Sequence, residues 1–195
     1  MKATIWICFL AANAAVGAFA RQNSAISREV HELYLEDQKD RGVGGESLPW
    51  DKIEQRDLTR RTRIHELLSA GALQTAEDFH DAAFIYQHGQ TPDDYLLAHV
   101  LATVAVQKGD SKSLWISAAT LDRYLNSISQ SQVFGTQYHS KDDSPVTQEP
   151  YNRTLIPDHL RADFCVPSLD QQQKNLAEFK AGKYPAGILP PGCTR

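Results

Sequence analysis

The segment from Thr91 to Gly109 constrains the fold of this chain more than any other, because it combines clear helix-end signals with an almost uninterrupted apolar sequence. Thr91 precedes Pro92, Asp94 stands three residues after the cap, and Gly109 marks the end of the helix. A helix that is apolar on every side is typical of a buried position, and this one is too short to span a membrane. We therefore predict that it is the central helix of a compact helical domain.

Four further helices are predicted around it from apolar residues at helical spacing and from end signals. They run from Ser24 to Arg41, from Lys52 to Ala70, from Ala76 to His88 and from Asp110 to about Asn126. The connections are short, so consecutive helices are expected to run antiparallel. The predicted fold class is all-α, either an up-and-down helical bundle or an array of α-hairpins with about five helices.

The sequence changes in character after the fifth helix. Residues 132–138 and 146–151 have extended propensity on either side of a turn, which predicts a small β-hairpin. One helical turn is predicted from Asp158 to Asp163, and Ser168 opens a last short helix that ends near Lys180. The remaining tail is rich in Pro and Gly and is expected to be irregular.

Residues 1–20 have the features of a secretory signal peptide: a charged Lys2, an apolar run and the small residues Ala18 and Ala20 at a cleavage site. The alternative is an uncleaved anchor. Cleavage leaves one domain over 21–195, with a helical core over 24–138 and a C-terminal extension over 139–195. We predict a secreted or periplasmic protein with no stable membrane span after signal cleavage. Its net charge of −4 does not favour nucleic acid as a partner.

Two of the three cysteines, Cys165 and Cys193, lie outside the predicted signal peptide. In an oxidising compartment a disulfide between them is expected. The alternative, a pair of free thiols with a catalytic or metal-binding role, lacks a C-x-x-C spacing and a nearby pair of histidines.

Polar residues interrupt the apolar stripes at helix ends that an alternating arrangement would bring to one rim of the bundle. The chain that leaves the fifth helix would add its own polar residues there. The predicted rim contains Asp37, Gln38, Arg41, Asp57, Arg61, Gln87, His88, Asp122, Arg123, Gln132, Thr136 and Gln137. The alternative is that these groups form buried ion pairs and amide contacts that only stabilise the fold.

The residue types at this rim favour recognition of a polar ligand. Amide side chains donate and accept hydrogen bonds, and guanidinium groups suit a carboxylate or phosphate. The predicted ligand-binding residues are Gln38, Arg41, Gln87, Arg123, Gln132, Thr136 and Gln137. We predict that they bind a polar small molecule or a peptide end.

Two other functions remain open. One is a hydrolase or transferase that uses His88 with Asp37 or Asp122 as acid and base. The other is a tetratricopeptide-like interaction module, although no fixed repeat period is present. A metal held by His80 and His99 is a further alternative, but the sequence lacks H-x-x-x-H spacing, so we predict no metal and no cofactor.

The chain resembles a family of mostly bacterial helical proteins, described as a domain of unknown function. The resemblance extends from about Leu33 to Gln137. The motifs that carry it are DQKDR from Asp37, QHG from Gln87, LDR from Leu121 and FGTQ from Phe134. The family implies a helical domain and the same rim of polar residues, but it implies no reaction.

Overall fold

The computed structural model describes residues 6–42, 48–141, 144–186, 188–190 and 193, with side chains from residue 23 onward. This part of the chain contains seven helices and no strand, so the predicted all-α class is confirmed. The helices are α1 (Trp6–Asp40), α2 (Trp50–Ser69), α3 (Ala76–Tyr86), α4 (Pro92–Gln107), α5 (Ser113–Ser127), α6 (Asp158–Asp163) and α7 (Leu169–Lys180). The side chains of the predicted signal peptide and the predicted glycine turn after α1 lie outside the described residues.

Helix starts follow the predicted capping signals at α3, α4 and α7. Thr75 and Thr91 each accept a hydrogen bond from the backbone of an Asp three residues later, and each of those Asp side chains accepts from the cap backbone in return. Ser168 accepts from the backbone of Gln171 in the same way. The predicted start of α2 at Lys52 is wrong, because the helix begins at Trp50, directly after Pro49. The predicted starts of α1 at Ser24 and of α5 at Asp110 are also wrong, since α1 begins at Trp6 and α5 at Ser113.

Helices α1 and α3 lie side by side and run in the same direction. His31 contacts Asp81 at 2.9 Å, and about two turns further along both helices Asp37 contacts His88 at 3.1 Å. These contacts place the C-terminal end of α1 beside the turn that follows α3.

The prediction that α4 is the central, fully buried helix is wrong. Only Ala98, Leu101, Ala102 and Ala105 of α4 are buried, while Val100 is 48% exposed. The buried face consists mainly of alanines, which allow α4 to approach α3 and α5 closely. Helix α3 is the most buried element, and most of its length lies in the main apolar core.

The buried face of α5 does not follow its large apolar residues. Leu114, Trp115, Leu121 and Leu125 are only partly buried, whereas small and polar residues face inward. The buried residues of α5 are Ser113, Ile116, Ser117, Ala118, Ala119, Thr120 and Asp122. Hydroxyl groups are tolerated there because Ser117 and Thr120 donate to carbonyls of their own helix, each at 2.7 Å.

The C-terminal extension packs on α5 through a second apolar core. Ala118, Phe134 and Val166 form its buried centre. The predicted β-hairpin is not confirmed, because the described residues form only two isolated bridges, between Gln132 and Tyr151 and between His139 and Thr147.

Cys165 and Cys193 are joined by a disulfide, which confirms their predicted pairing. The bond connects the residues after α6 to the C-terminal tail. It is compatible with an oxidising compartment, as expected for a secreted protein.

No helix in the described part of the chain combines the length and apolar character that crossing a membrane requires.

Candidate functional site

Asp37 lies at the centre of the polar residues that converge near the C-terminal end of α1. Its side chain is fully buried. The carboxylate accepts hydrogen bonds from Arg41 at 2.7 Å and from Gln38 at 2.8 Å, and it contacts His88 Nδ1 at 3.1 Å. A buried carboxylate with three donors is strongly held in place.

A second group of charges connects α1 to α2. Arg41 donates to Asp57 at 2.5 Å, so its guanidinium links the carboxylates of both helices. Arg60 donates to Asp57 at 3.1 Å and also to Asp40. The result is a buried network in which guanidinium and carboxylate groups alternate.

The sequence left open whether Arg60 or Arg61 continues the inward face of α2. Arg60 does, with only 2% of its surface exposed. Arg61 instead points toward the end of α3, where it donates to the carbonyl of His88 at 3.0 Å. Arg61 therefore holds the backbone of the turn in which His88 lies.

His88 is an imidazole backed by a buried carboxylate. Burial lowers the pKa of His88, and the hydrogen bond with Asp37 opposes this shift. With neutral His88, the short contact to Asp37 is made by Nδ1–H as donor, and Nε2 is left as an acceptor. An oriented imidazole of this kind can bind a donor or accept a proton.

The lowered pKa of His88 predicts that the protein loses stability in acid. The pKa of an unfolded histidine is about 6.5. Below that pH the unfolded chain is protonated at this residue more readily than the folded protein is. The stabilisation is therefore complete above about pH 6.5 and declines as the pH falls. We expect His88→Gln to weaken the pH dependence of the free energy of unfolding, measured by urea denaturation between about pH 5 and 7.5. The exposed His65→Gln is the control, and an equal effect of both changes would contradict the prediction.

Arg123 extends the polar cluster from α3 to α5. Its guanidinium donates to the carbonyl of Gln87 at 2.7 Å and to the side chain of Gln137 at 3.2 Å. Gln137 is itself held by α5, since its amide donates to the carbonyl of Ala119 at 3.0 Å. The predicted rim residues Gln87, Arg123 and Gln137 are thus brought into contact.

Asp122 and Gln132, in contrast, hold the loop that follows α5. Both Asp122 oxygens are engaged, because Oδ1 accepts from the backbone of Val133 and Phe134, and Oδ2 accepts from the backbone and hydroxyl of Thr136. Burial raises the pKa of Asp122, and these hydrogen bonds oppose the increase. The Gln132 side chain bonds to the backbone of Gln137 in both directions, at 2.8 and 3.0 Å. Their contacts indicate a structural role in shaping the loop.

An open pocket of about 440 Å³ lies beside the cluster, and we call it the rim pocket. Its lining residues are Arg41, Trp50, Glu54, Asp57, Gln87, His88, Gly89, Gln90 and Arg123. Five of the residues predicted for the rim therefore face one cavity. Asp37, Gln38, Asp122, Gln132 and Thr136 do not line it; Thr136 and Gln137 line a smaller cavity of about 210 Å³ on the other side of Arg123.

Sequence reasoning missed the contributions of Trp50 and Glu54 to the rim pocket. Both precede Asp57 on α2 at the spacing of one helix face, which is the signal that could have identified them. Gly89 was recognised only as a helix end. Its further role is to allow close packing, because a Cβ at this position would collide with the side chain of Asp94.

The alternative metal site is not supported by the geometry. His80 Nδ1 contacts the hydroxyl of Ser113 at 2.8 Å, and His99 Nδ1 contacts the carbonyl of Ser117 at 2.8 Å. Within the described residues, no group of three or more His, Cys, Asp or Glu side chains is arranged to hold a metal ion.

The resemblance to the helical family rests on short motifs and stays a prediction. Comparisons of the chain with protein-family models, with curated protein sequences and with solved structures found no match.

Proposed function

We propose that the rim pocket binds a small molecule or peptide end that carries a carboxylate, without converting it chemically. We further propose that α1 to α5 alternate in direction, so that the helix ends that line the pocket meet at one rim. The parallel contacts between α1 and α3 support this arrangement.

The observation that carries the proposal is the charge of Arg123. The side chain is partly buried, yet within the described residues it has no carboxylate partner. Burial lowers the pKa of Arg123, and the nearby Arg41 lowers it further. A buried cation is stabilised by an anion and by several hydrogen bonds, so this position favours an anionic ligand.

Two other guanidinium groups of the cluster, unlike that of Arg123, have carboxylate partners in the described part of the chain. Arg41 contacts Asp37 and Asp57, and Arg60 contacts Asp40 and Asp57. Their charges are compensated inside the fold. Among the described residues of the cluster, the cation that remains for a ligand is therefore Arg123, while Arg41 and Arg60 stabilise the contacts between α1 and α2.

The remaining walls suit a peptide end. A guanidinium can hold a terminal carboxylate with two parallel hydrogen bonds. Trp50 is 74% exposed at the pocket and offers an apolar surface for a side chain. Tyr95 lies 5.9 Å from the Arg123 guanidinium, in an adjacent cavity of about 380 Å³, where it limits the rotation of that group.

We expect a tripeptide with a free C-terminal carboxylate to bind, and the same tripeptide amidated at its C-terminus not to bind, because only the free acid can pair with Arg123. Isothermal titration calorimetry measures both. Arg123→Gln should weaken binding of the free acid at least about tenfold, which corresponds to about 1.4 kcal/mol. Arg123→Lys keeps the charge but loses the planar fork, so we expect an intermediate loss.

The matched control is Arg153→Gln, since Arg153 already pairs with Glu149 at 2.6 Å away from the rim pocket. Binding should be unchanged in this variant. Thermal unfolding of each variant verifies that the fold persists. Equal binding of the acid and the amide, or an undiminished affinity in Arg123→Gln, would refute the proposal.

A hydrolase or transferase is the second candidate, favoured by one observation: buried Asp37 orients His88 at the pocket. Mass spectrometry of the bound peptide after incubation separates the two functions. A product that forms with the native chain and disappears with His88→Gln would favour the enzyme. Unchanged peptide in both cases supports binding without chemistry.

A further inference from the structure

A larger pocket of about 470 Å³ lies at the opposite end of α3, between α1 and the loop that joins α4 to α5. We call it the far pocket. Its polar lining includes His31, Tyr34, Asp81, Lys108, Asp110 and Lys112. None of these residues belongs to the predicted rim.

His31 and Asp81 form an oriented pair across α1 and α3. His31 Nδ1 lies 2.9 Å from an Asp81 carboxylate oxygen. Asp81 is 2% exposed, whereas the side chain of His31 is 43% exposed. The buried carboxylate fixes the orientation of the imidazole through Nδ1 and leaves Nε2 available to a ligand.

Asp110 also has internal partners. It accepts from the Ser113 hydroxyl at 2.7 Å and from the backbone of Lys112 at 3.1 Å, and it lies 3.1 Å from His80 Nδ1. Ser113 and Asp110 both approach the same nitrogen of His80. In a catalytic triad the carboxylate and the nucleophile contact different nitrogens of the histidine. The three residues therefore do not form such a triad.

Several donors of the far pocket, unlike its buried carboxylates, lack an acidic partner. Lys112 forms no ion pair within the described part of the chain, and Lys108 donates only to the carbonyl of Gln74, at 2.9 Å. The hydroxyl of Tyr34 makes no hydrogen bond to another described residue. Lys108, Lys112 and the Tyr34 hydroxyl are therefore donors that a ligand rich in acceptors can use in this pocket.

We propose that the far pocket is a second ligand site, in which a small oxyanion, a carboxylate or a phosphate, is held between the His31 imidazolium and the Lys112 ammonium group. Buried Asp81 holds the imidazole in place at Nδ1 while the anion binds. The site is independent of the rim pocket, because the two share no lining residue.

The charges around His31 determine how its protonation responds to a ligand. Glu77, His80 and Asp81 face it from α3, and Lys108, Asp110 and Lys112 face it from the loop. Tyr34 lies on its own helix. Burial raises the pKa of Asp81 to about 7, and the hydrogen bond with His31 opposes this increase. An anion bound to the imidazolium adds a further attraction, so it shifts the titration of His31 to higher pH.

The test is an NMR titration of the His31 ring signal, with and without inorganic phosphate, at constant ionic strength set by chloride. We expect phosphate at about 20 mM to raise the midpoint of the His31 titration by about half a pH unit or more. Acetate is the second probe. A shift with phosphate alone assigns a phosphate-specific site, a shift with both probes assigns oxyanions in general, and either result supports the site.

Three variants make the test specific. Lys112→Gln, at an exposed position, should reduce the phosphate-induced shift by at least half. Glu77→Gln should increase it, because the exposed Glu77 carboxylate, 4.0 Å from His31 Nδ1, repels an anion. Arg123→Gln, at the rim pocket, should leave it unchanged. The absence of a shift in the native protein, or an equal shift in Lys112→Gln, would overturn the proposal.

Discussion

Replacement of Asp37 by Ala should destabilise the protein by about 3–5 kcal/mol, because it removes one of the buried carboxylates that compensate the guanidinium groups of Arg41 and Arg60 and leaves Asp57 shared between them. Asp37 is fully buried and accepts from Arg41 at 2.7 Å. Arg60 lies 3.9 Å from it and is itself almost fully buried. Loss of one partner in a buried ionic network costs more than the net contribution of the pair, since the remaining charges stay desolvated. Urea denaturation followed by circular dichroism measures the change in the free energy of unfolding.

The control for Asp37 is Glu36, the preceding residue on α1. The side chain of Glu36 is 57% exposed and, within the described residues, pairs only with the partly exposed Arg56, at 3.2 Å. Glu36→Ala should therefore cost less than about 1 kcal/mol. If Asp37→Ala were as mild as Glu36→Ala, the network would not stabilise the fold, and its residues would be retained for binding alone.

The starts of α3, α4 and α7 could be predicted from the sequence because they depend on local chemistry, whereas the predicted starts of α1, α2 and α5 are wrong, and α2 and α5 have no side-chain cap. The Thr91 and Asp94 pair at the start of α4 satisfies backbone donors within a single turn, whatever the helix packs against. The same is true of Ser168 at the start of α7. Such contacts connect neighbouring residues, so the sequence alone contains the information.

Which face of a helix is buried could not be predicted in the same way. Val100 on α4 is 48% exposed although it is apolar, and Thr120 on α5 is fully buried although it is polar. The outcome depends on how closely partner helices approach, and small residues such as Ala102 allow the closest approach. The pattern of apolar residues does not show which face of a helix is buried when neither face contains a clear polar stripe.

Some of the residues predicted for the rim contact one another, but the sequence could not predict what each of them does. Asp37 contacts His88, and Arg123 donates to the carbonyl of the neighbouring Gln87. The sequence did not reveal that Asp122 uses both oxygens to hold a loop, or that Arg123 has no acidic partner among the described residues. Those roles depend on distances of a few ångströms between segments far apart in the chain. For the same reason, the pairing of His31 with Asp81 left no signal in the sequence.

Asp122 carries the second large effect that we expect: Asp122→Ala should lower the free energy of unfolding by about 3–5 kcal/mol, because hydrogen bonds to a charged group contribute about 1.5–3 kcal/mol each and partly overlap. Its carboxylate accepts three backbone N–H groups and the Thr136 hydroxyl, at 2.7 to 3.0 Å. Removal of the acceptor leaves those donors buried without partners and frees the loop that contains Gln137, which contacts Arg123.

Asp122→Asn provides a graded comparison. It retains one acceptor oxygen, so we expect its free energy of unfolding to lie between that of the native protein and that of Asp122→Ala. The exposed Asp170, which pairs with Lys174 one turn later, is the control, and Asp170→Ala should change the stability by less than about 0.5 kcal/mol. Because Gln137 positions Arg123, Asp122→Ala should also weaken binding of a free carboxylate at the rim pocket under conditions where the variant remains folded. If Asp122→Ala kept the native stability but bound the carboxylate more weakly, Asp122 would belong to the ligand site instead. If the variant were destabilised but bound normally, the loop would not influence the rim pocket.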